Sequence, residues 1–274
     1  MRPVVDLAWI EKRRSEIVLA DVRWYLDGRS GRAAYDGGHL PGAVFVDLDR
    51  RLAGNPSREE GRHPLPNPEA FAADMAALGV GDDHIVVAYD DAGGVTAARL
   101  VWMLRATGHD AALLDGGLDA FGGELERAER PRARAVFMPR PWPTERLADI
   151  NDAVDPHNLV VDARAGERYR GEHEPIDPRP GHIPGAINLP CRENLAEDGR
   201  FLPVEALRRR FRHAGVTDGD TVVSYCGSGV NACHNLLAME HAGLGPGRLY
   251  PGSWSQYSQD PDRPVALGDE GSAG

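Results

Sequence analysis

An internal repeat constrains the fold of this chain more than any other feature. Three motifs occur in both halves: DVR at 21–23 and DAR at 162–164, GHLPGA at 38–43 and GHIPGA at 181–186, and the apolar runs IVVAY at 85–89 and TVVSY at 221–225. The order of the motifs is the same in each half. Because self-similarity at a regular spacing marks duplicated structural units, the sequence predicts two copies of one domain.

Each copy has the hydrophobic pattern of an α/β domain. The pattern reads as a strand, a turn, a second short strand, a helix, a central apolar strand and another helix. The predicted strands are 18–20, 44–46 and 85–89 in the first copy and 159–161, 187–189 and 221–225 in the second. This alternation predicts the α/β fold class, with two tandem domains that each contain a mainly parallel sheet flanked by helices.

Composition suggests where the domains begin and end. The segment 129–143 (ERPRARAVFMPRPWP) is rich in proline and arginine and has no periodicity, so we expect an extended linker there. An N-terminal domain then covers 1–128 and a C-terminal domain covers 144–274. Residues 260–274 are polar and glycine-rich, and we expect them to form a loose tail.

The charge and the cysteine content narrow the function classes. A formal net charge of −11 disfavours nucleic acid and anionic membrane surfaces as partners. No apolar run approaches the roughly 20 residues that span a bilayer, and the first residues lack the order of a signal peptide. We therefore expect a cytoplasmic protein. Its three cysteines, Cys191, Cys226 and Cys233, are expected to be reduced and point to thiol chemistry.

Cys226 stands out because it lies between the end of a predicted strand and the start of a predicted helix. Ligand sites in parallel sheets lie at this edge, and the glycines after Cys226 let successive N–H groups face one point. Such amides, together with a helix dipole, favour a thiolate. The equivalent loop of the first copy, 90–95 (DDAGGV), has no cysteine, which favours a single working site. The alternative is a buried structural cysteine behind an ordinary turn.

Taken together, these features resemble the two-domain rhodanese family. The resemblance rests on the tandem copies, both GH[LI]PGA motifs, the CGSGV loop at 226–230 and YPGSW at 250–254. It implies a thiosulfate or 3-mercaptopyruvate sulfurtransferase with an inactive first domain. The loop is closer to the CGSGVT type associated with mercaptopyruvate than to the CRKG type associated with thiosulfate, although Asn231 stands in place of the threonine.

The resemblance also implies roles for individual residues. Cys226 would take a sulfur atom from a small anionic donor, hold it as a persulfide and pass it to a thiol or cyanide, a thioredoxin-like protein among the candidate acceptors. The residues whose backbone amides would stabilise the anionic sulfur are Gly227, Ser228, Gly229, Val230 and Asn231. Arg168 and Arg179 would hold the anionic group of the donor. Ser228, His63 and Asp49 would form a proton relay for the leaving group.

Two other functions remain open at this stage. A cysteine-dependent phosphatase or arsenate reductase needs an arginine six residues after the cysteine, and Ala232 occupies that position. A non-catalytic module that docks sulfur-carrier or regulatory proteins would have no use for Cys226. We expect no metal site, and neither a metal nor an organic molecule as cofactor.

Overall fold

The computed structural model describes residues 1–217 and 221–269 and divides into two compact units. Unit 1 comprises Met1–Gly54, Leu65–Trp142 and Glu197–Phe201. Unit 2 comprises Asn55–Pro64, Pro143–Ala196 and the described residues from Leu202 onward. The short segment Asn55–Pro64, which lies within the first copy of the repeat, therefore belongs to unit 2.

Unit 1 is built on a five-stranded parallel sheet. Its strands are β1 (Val4–Val5), β2 (Ile17–Asp21), β3 (Val44–Phe45), β4 (Ile85–Tyr89) and β5 (Ala111–Leu114), in the spatial order β1-β5-β4-β2-β3. Its helices are α1 (Leu7–Glu11), α2 (Gly31–Gly37), α3 (Leu48–Arg51), α4 (Pro68–Ala77) and α5 (Ala97–Ala106). Val87 and Tyr89 of the central strand β4 are fully buried in the core. The parallel strands run as continuous apolar segments because helices cover the sheet.

Unit 2 repeats this architecture with a four-stranded parallel sheet. Its strands are β6 (Leu159–Asp162), β7 (Ile187–Asn188), β8 (Val222–Tyr225) and β9 (Arg248–Leu249), in the order β7-β6-β8-β9. Its α-helices within the described residues are α6 (Gly166–Tyr169), α7 (Val204–His213), α8 (Asn231–His241) and α9 (Ser253–Tyr257). The α/β class, the tandem copies and the parallel sheets predicted from the repeat are thus confirmed.

The repeated Asp-X-Arg motif fixes the end of one strand in each unit. In unit 2, Arg164 Nε donates to both carboxylate oxygens of Asp162, and Nη2 donates to Oδ2 and, at 2.7 Å, to the Gly181 carbonyl. Both side chains are almost completely buried. A buried carboxylate is costly unless it is paired, so the arginine accompanies the aspartate. Arg23 and Asp21 form the same pair in unit 1.

The predicted linker and the described part of the predicted tail are both held by hydrogen bonds. Residues 129–143 contain no helix or strand, and Ala135 N donates to the Ala76 carbonyl of unit 1 at 3.0 Å. Residues 260–269, expected to be loose, instead pack in unit 2, where Ala266 forms an antiparallel bridge with His182. The composition of 260–269 is polar, but several of its backbone groups are paired, among them both backbone groups of Ala266 and the carbonyls of Pro261 and Arg263. Residues 270–274 of the predicted tail lie outside the described residues.

Helix length and hydropathy decide whether a helix could span a membrane. Over residues 1–217 and 221–269, none of the helices is long and apolar enough to cross a membrane.

Candidate active site

Cys226 lies at the carboxyl end of the central strand of unit 2. It follows Tyr225, the last residue of β8, and the loop 226–230 leads into α8, which begins at Asn231. β8 is flanked by β6 and β9. The loop thus occupies the edge of the sheet where parallel α/β folds bind ligands, as the sequence predicts.

The first turn of α9 holds the loop from one side. The backbone N–H of Trp254 donates to the Cys226 carbonyl at 3.0 Å, and that of Ser255 donates to the Gly227 carbonyl at 2.8 Å. No peptide bond between described residues is cis. In a trans peptide the N–H points opposite to the carbonyl, so the N–H groups of Gly227 and Ser228 point away from α9. Neither of these N–H groups bonds to any residue that the structure describes.

The sulfur of Cys226 accepts a backbone hydrogen bond from its own loop. Gly229 N donates to Sγ at 3.1 Å, and Cys226 N is held by the Ser253 hydroxyl at 3.2 Å. Only 2% of the residue is exposed. Gly229 takes a left-handed φ of 77°, which glycine adopts without steric cost. A donor in this position stabilises negative charge on Sγ.

The equivalent loop of unit 1 surrounds the side chain of an acidic residue. Asp90 follows β4 as Cys226 follows β8, and its carboxylate is completely buried. The groups that donate to this carboxylate at 2.7 to 2.9 Å include the backbone N–H groups of Ala92, Gly94, Thr96 and Ala97. Backbone N–H groups that converge on one point in this way form an anion-binding nest. The loop at this position of the fold can therefore direct several backbone N–H groups at one acidic side chain.

Ser228 and His63 form a hydrogen-bonded pair of side chains at the loop. His63 Nδ1 lies 2.7 Å from Ser228 Oγ, and both residues are buried. His63 belongs to the segment Asn55–Pro64 of unit 2. The imidazole and hydroxyl can pass a proton between them because each can both donate and accept. The structure thus brings together two of the three residues predicted to form the relay.

Asp49, the third predicted member of the relay, belongs to unit 1. It lies in α3, where its carboxylate accepts a hydrogen bond from Trp24 Nε1 at 2.9 Å. Its participation in proton transfer stays a prediction.

Arg168 lies in a buried ionic cluster on the side of the loop. Its guanidinium binds Glu174 at 2.7 Å and Asp177 at 3.1 Å, and both carboxylates are at most 2% exposed. Burial opposes ionisation of Glu174, but the hydrogen bonds from Arg168 and from the amides of Asp177 and Ile176 outweigh it, so the pKa of Glu174 is lowered. Arg168 is thus held at a defined position, with its Nη1 making no hydrogen bond to a described residue.

Arg179, the other arginine predicted to bind the donor, has different partners. Its Nη1 and Nη2 donate to the carbonyls of Pro261 and Arg263 at 2.8 and 2.9 Å. Its own carbonyl accepts from Trp254 Nε1. In this structure Arg179 therefore anchors the segment 260–269, and its role in donor binding stays a prediction.

The other two cysteines are buried near the loop. Burial raises the pKa of the Cys191 thiol to about 12, so this thiol is neutral at physiological pH. Cys233, in the first turn of α8, donates from Sγ to the Gly229 carbonyl at 3.3 Å. Cys226 thus remains the cysteine placed for chemistry.

Comparisons with known proteins agree with this geometry. The rhodanese-like domain family matches residues 6–124 and 144–260. The chain belongs to the rhodanese family. A relative from Pseudomonas aeruginosa named "Probable 3-mercaptopyruvate sulfurtransferase" is 44% identical to this chain over 268 residues, which cover 93% of each protein. The Arabidopsis thaliana protein "Thiosulfate/3-mercaptopyruvate sulfurtransferase 1, mitochondrial" is 31% identical, covering 96% of this chain and 78% of that protein.

A solved structure extends the likeness to three dimensions. The SseA protein of Escherichia coli, described as a 3-mercaptopyruvate sulfotransferase with the rhodanese fold, superposes with a TM-score of 0.80 at 31% identity. The match covers 93% of this protein and all of that chain.

Four residues of the site were missed by the sequence analysis. Ser253 and Ser255 hold the cysteine loop, and Arg62 and Asp177 form an ion pair beside it. Arg62 is the residue before His63, so its proximity to a candidate site residue was a usable signal. Ser253 lies in the YPGSW motif, but the motif alone does not indicate which hydrogen bonds it makes.

Proposed function

We propose that this protein is a sulfurtransferase that uses Cys226 as its nucleophile. The thiolate attacks the sulfur of 3-mercaptopyruvate or the outer sulfur of thiosulfate. A new S–S bond forms on Cys226, and the electron pair of the broken bond leaves with pyruvate enolate or with sulfite. The persulfide then passes its outer sulfur to a thiol or to cyanide. The hydrogen bond from Gly229 N to Cys226 Sγ at 3.1 Å is the observation that carries this proposal.

The free N–H groups of the loop support the same reaction. In the persulfide the negative charge lies on the outer sulfur, one bond beyond Sγ. The N–H groups of Gly227 and Ser228 are not used by any described residue and point away from α9. They can donate to that outer sulfur and to the oxygens of an anionic donor, as preorganised dipoles do in other anion-stabilising sites.

The pair of Ser228 and His63 favours 3-mercaptopyruvate as the physiological donor. Pyruvate leaves as an enolate that must take up a proton, whereas sulfite leaves as a stable anion. A proton relay at 2.7 Å beside the loop is useful only for the first leaving group. The names of the relatives from Pseudomonas aeruginosa and Arabidopsis thaliana include this donor.

The acceptor and compartment follow from the same chemistry. A persulfide reacts with thiolates, so we propose a reduced thiol, such as that of a thioredoxin-like protein, as the acceptor. We also propose the cytoplasm as the compartment, because all three cysteines are free thiols.

Steady-state kinetics tests the proposal. Pyruvate release from 3-mercaptopyruvate, with dithiothreitol as acceptor, should give the parallel double-reciprocal lines of a ping-pong mechanism. Cys226→Ser should abolish release, while Cys191→Ser should retain the parallel-line pattern. Failure of the wild-type protein to release pyruvate from 3-mercaptopyruvate and sulfite from thiosulfate would refute the assignment.

A further inference from the structure

We propose that a cleft in unit 1 binds a small organic anion with an apolar body, such as a branched aliphatic carboxylate. The cleft has a volume of about 270 Å³, near the lower end of the range for small-molecule sites, about 300–1,000 Å³. All of the residues that line it belong to unit 1, whereas Cys226 lies in unit 2. The cleft is therefore a second site, separate from the cysteine loop, and the inference goes beyond the proposed function.

The short edge strand β3 leaves room for the cleft. β3 pairs with the last two residues of β2, so over the described residues no strand lies on the outer side of residues 17–19. The side chains of Ile17 and Leu19 point to the same face of the sheet because successive residues of a strand alternate. With Ile10 of α1 they form the apolar floor of the cleft. All three side chains also belong to the core of unit 1, and core packing makes this floor rigid.

The rim of the cleft is basic. Three arginines line it, Arg14, Arg130 and Arg132, together with one carboxylate, that of Glu126. This carboxylate already has partners, because Oε2 accepts from Gly42 N at 2.7 Å and Oε1 binds Arg130 Nε. The charges of Arg14 and Arg132 are therefore not balanced by the one lining carboxylate.

Arg14 and Arg132 have no carboxylate partner among the described residues, although the formal net charge of the chain is −11. Arg14 Nη2 donates to the Pro41 carbonyl at 3.0 Å, and Arg132 Nε donates to the Gly79 carbonyl at 3.4 Å. Each guanidinium keeps further N–H groups available to an anion. The arginines of unit 1 that do pair with carboxylates include Arg23, Arg29, Arg32 and Arg51. The rim of the cleft thus differs from the arginine-containing surface around it.

An anion with an apolar body matches both parts of the cleft. A carboxylate forms charge-assisted hydrogen bonds with guanidinium groups, and an aliphatic body that covers the floor removes apolar surface from water. An inorganic anion would leave the floor in contact with water, and a neutral aliphatic molecule would leave the guanidiniums unpaired. The small volume of the cleft restricts the ligand to a small molecule.

Methyl NMR of the isoleucine side chains tests the site by position. Ile10 and Ile17 line the cleft, whereas Ile183 is buried in the core of unit 2. Titration of the wild-type protein with 4-methylpentanoate should shift the δ1 methyl signals of Ile10 and Ile17 and leave that of Ile183 in place. The variants Ile10→Val and Ile17→Val assign the two signals, and the titration gives the dissociation constant.

Two related probes and three variants separate the charge from the apolar body. The neutral 4-methylpentanamide lacks the charge, and acetate lacks the branched chain that covers the floor, so both should bind at least about tenfold more weakly than 4-methylpentanoate. Arg14→Gln and Arg132→Gln should each raise the Kd of 4-methylpentanoate about fivefold and leave that of the amide unchanged. Arg134→Gln is the matched control, because Arg134 is exposed on the same segment as Arg132 and does not line the cleft.

The outcomes decide the inference without any sulfur transfer. Signals of Ile10 and Ile17 that do not move with 4-methylpentanoate would overturn the site. Equal binding of the acid and the amide, or an equal effect of Arg134→Gln and Arg132→Gln, would overturn the role of the two arginines. Equal binding of acetate would overturn the role of the floor. Because neither a sulfur donor nor Cys226 takes part in the measurement, its result stands whatever the sulfurtransferase assay shows.

Discussion

Replacement of Gly61 by alanine tests whether activity depends on the position of the segment 55–64, apart from the stability of the fold. The new Cβ would lie 2.6 Å from the Gly252 carbonyl oxygen and 2.8 Å from Ser255 Oγ, at a φ of 87°. A left-handed alanine costs about 1–2 kcal/mol, and overpacking adds about 1–3 kcal/mol. Gly185→Ala is the matched control in the same unit, because Gly185 has a φ of 82° and no heavy atom within 4 Å of its added Cβ.

Two measurements test this expectation. In urea unfolding, Gly185→Ala should lose about 1–2 kcal/mol of stability, and Gly61→Ala should lose about 1–3 kcal/mol more unless the segment shifts. If the segment shifts, Arg62 and His63 move with it, and kcat/KM for 3-mercaptopyruvate should fall in Gly61→Ala alone. If Gly61→Ala matches Gly185→Ala in both stability and kcat/KM, the close approach at residue 61 has no functional importance and the reasoning is wrong.

Three further outcomes follow from the site. Ser228→Ala and His63→Gln should each lower kcat/KM for 3-mercaptopyruvate about 100-fold with a much smaller effect on thiosulfate, and equal losses for the two donors would exclude the relay. Ser253 has a φ of 53°, so Ser253→Ala keeps this backbone strain while Ser253→Gly relieves it. Thermal unfolding should show the glycine variant about 1 kcal/mol more stable than the alanine variant. The reverse order would contradict the strain at this residue. The pKa of Glu174 is lowered in the folded state. The stabilisation from its ionised carboxylate is therefore present above the unfolded pKa of about 4.3 and is lost as pH falls through the folded value. The stability difference between wild type and Glu174→Gln should be constant near neutral pH and shrink in acid.

The sequence was sufficient to predict the features that depend on local pattern. The repeat and its apolar runs predicted the central strands β2, β4, β6 and β8, and the position of Cys226 after β8 predicted a loop at the edge of the sheet. The edge strands β1 and β9 have two residues each, too few to show a period. β5 (AALL) is apolar throughout, and a short apolar run does not distinguish a strand from a helix.

Features that depend on distant contacts were not visible in the sequence. Asp177 lies far along the chain from Arg62, and no local pattern relates them. The packing of 260–269 depends on backbone carbonyl groups that bind Arg179. Every residue has a backbone carbonyl, so the sequence does not show which ones are bound. Ser253 shows a similar limit. In unit 1 the same left-handed conformation is taken by Gly117, with a φ of 57°. In unit 2 a hydrogen-bonded serine takes it, and a serine in the sequence does not indicate this conformation.

The central claim is that Cys226 carries sulfur, and intact-protein mass spectrometry tests it most directly. After incubation with 3-mercaptopyruvate and removal of the excess donor, the wild-type protein should gain the mass of one sulfur atom, and peptide mapping should place that atom on Cys226. The gain should disappear when a thiol acceptor is added and should be absent in Cys226→Ser. A wild-type protein that gains no sulfur, or sulfur that maps to Cys191 or Cys233, would contradict the account.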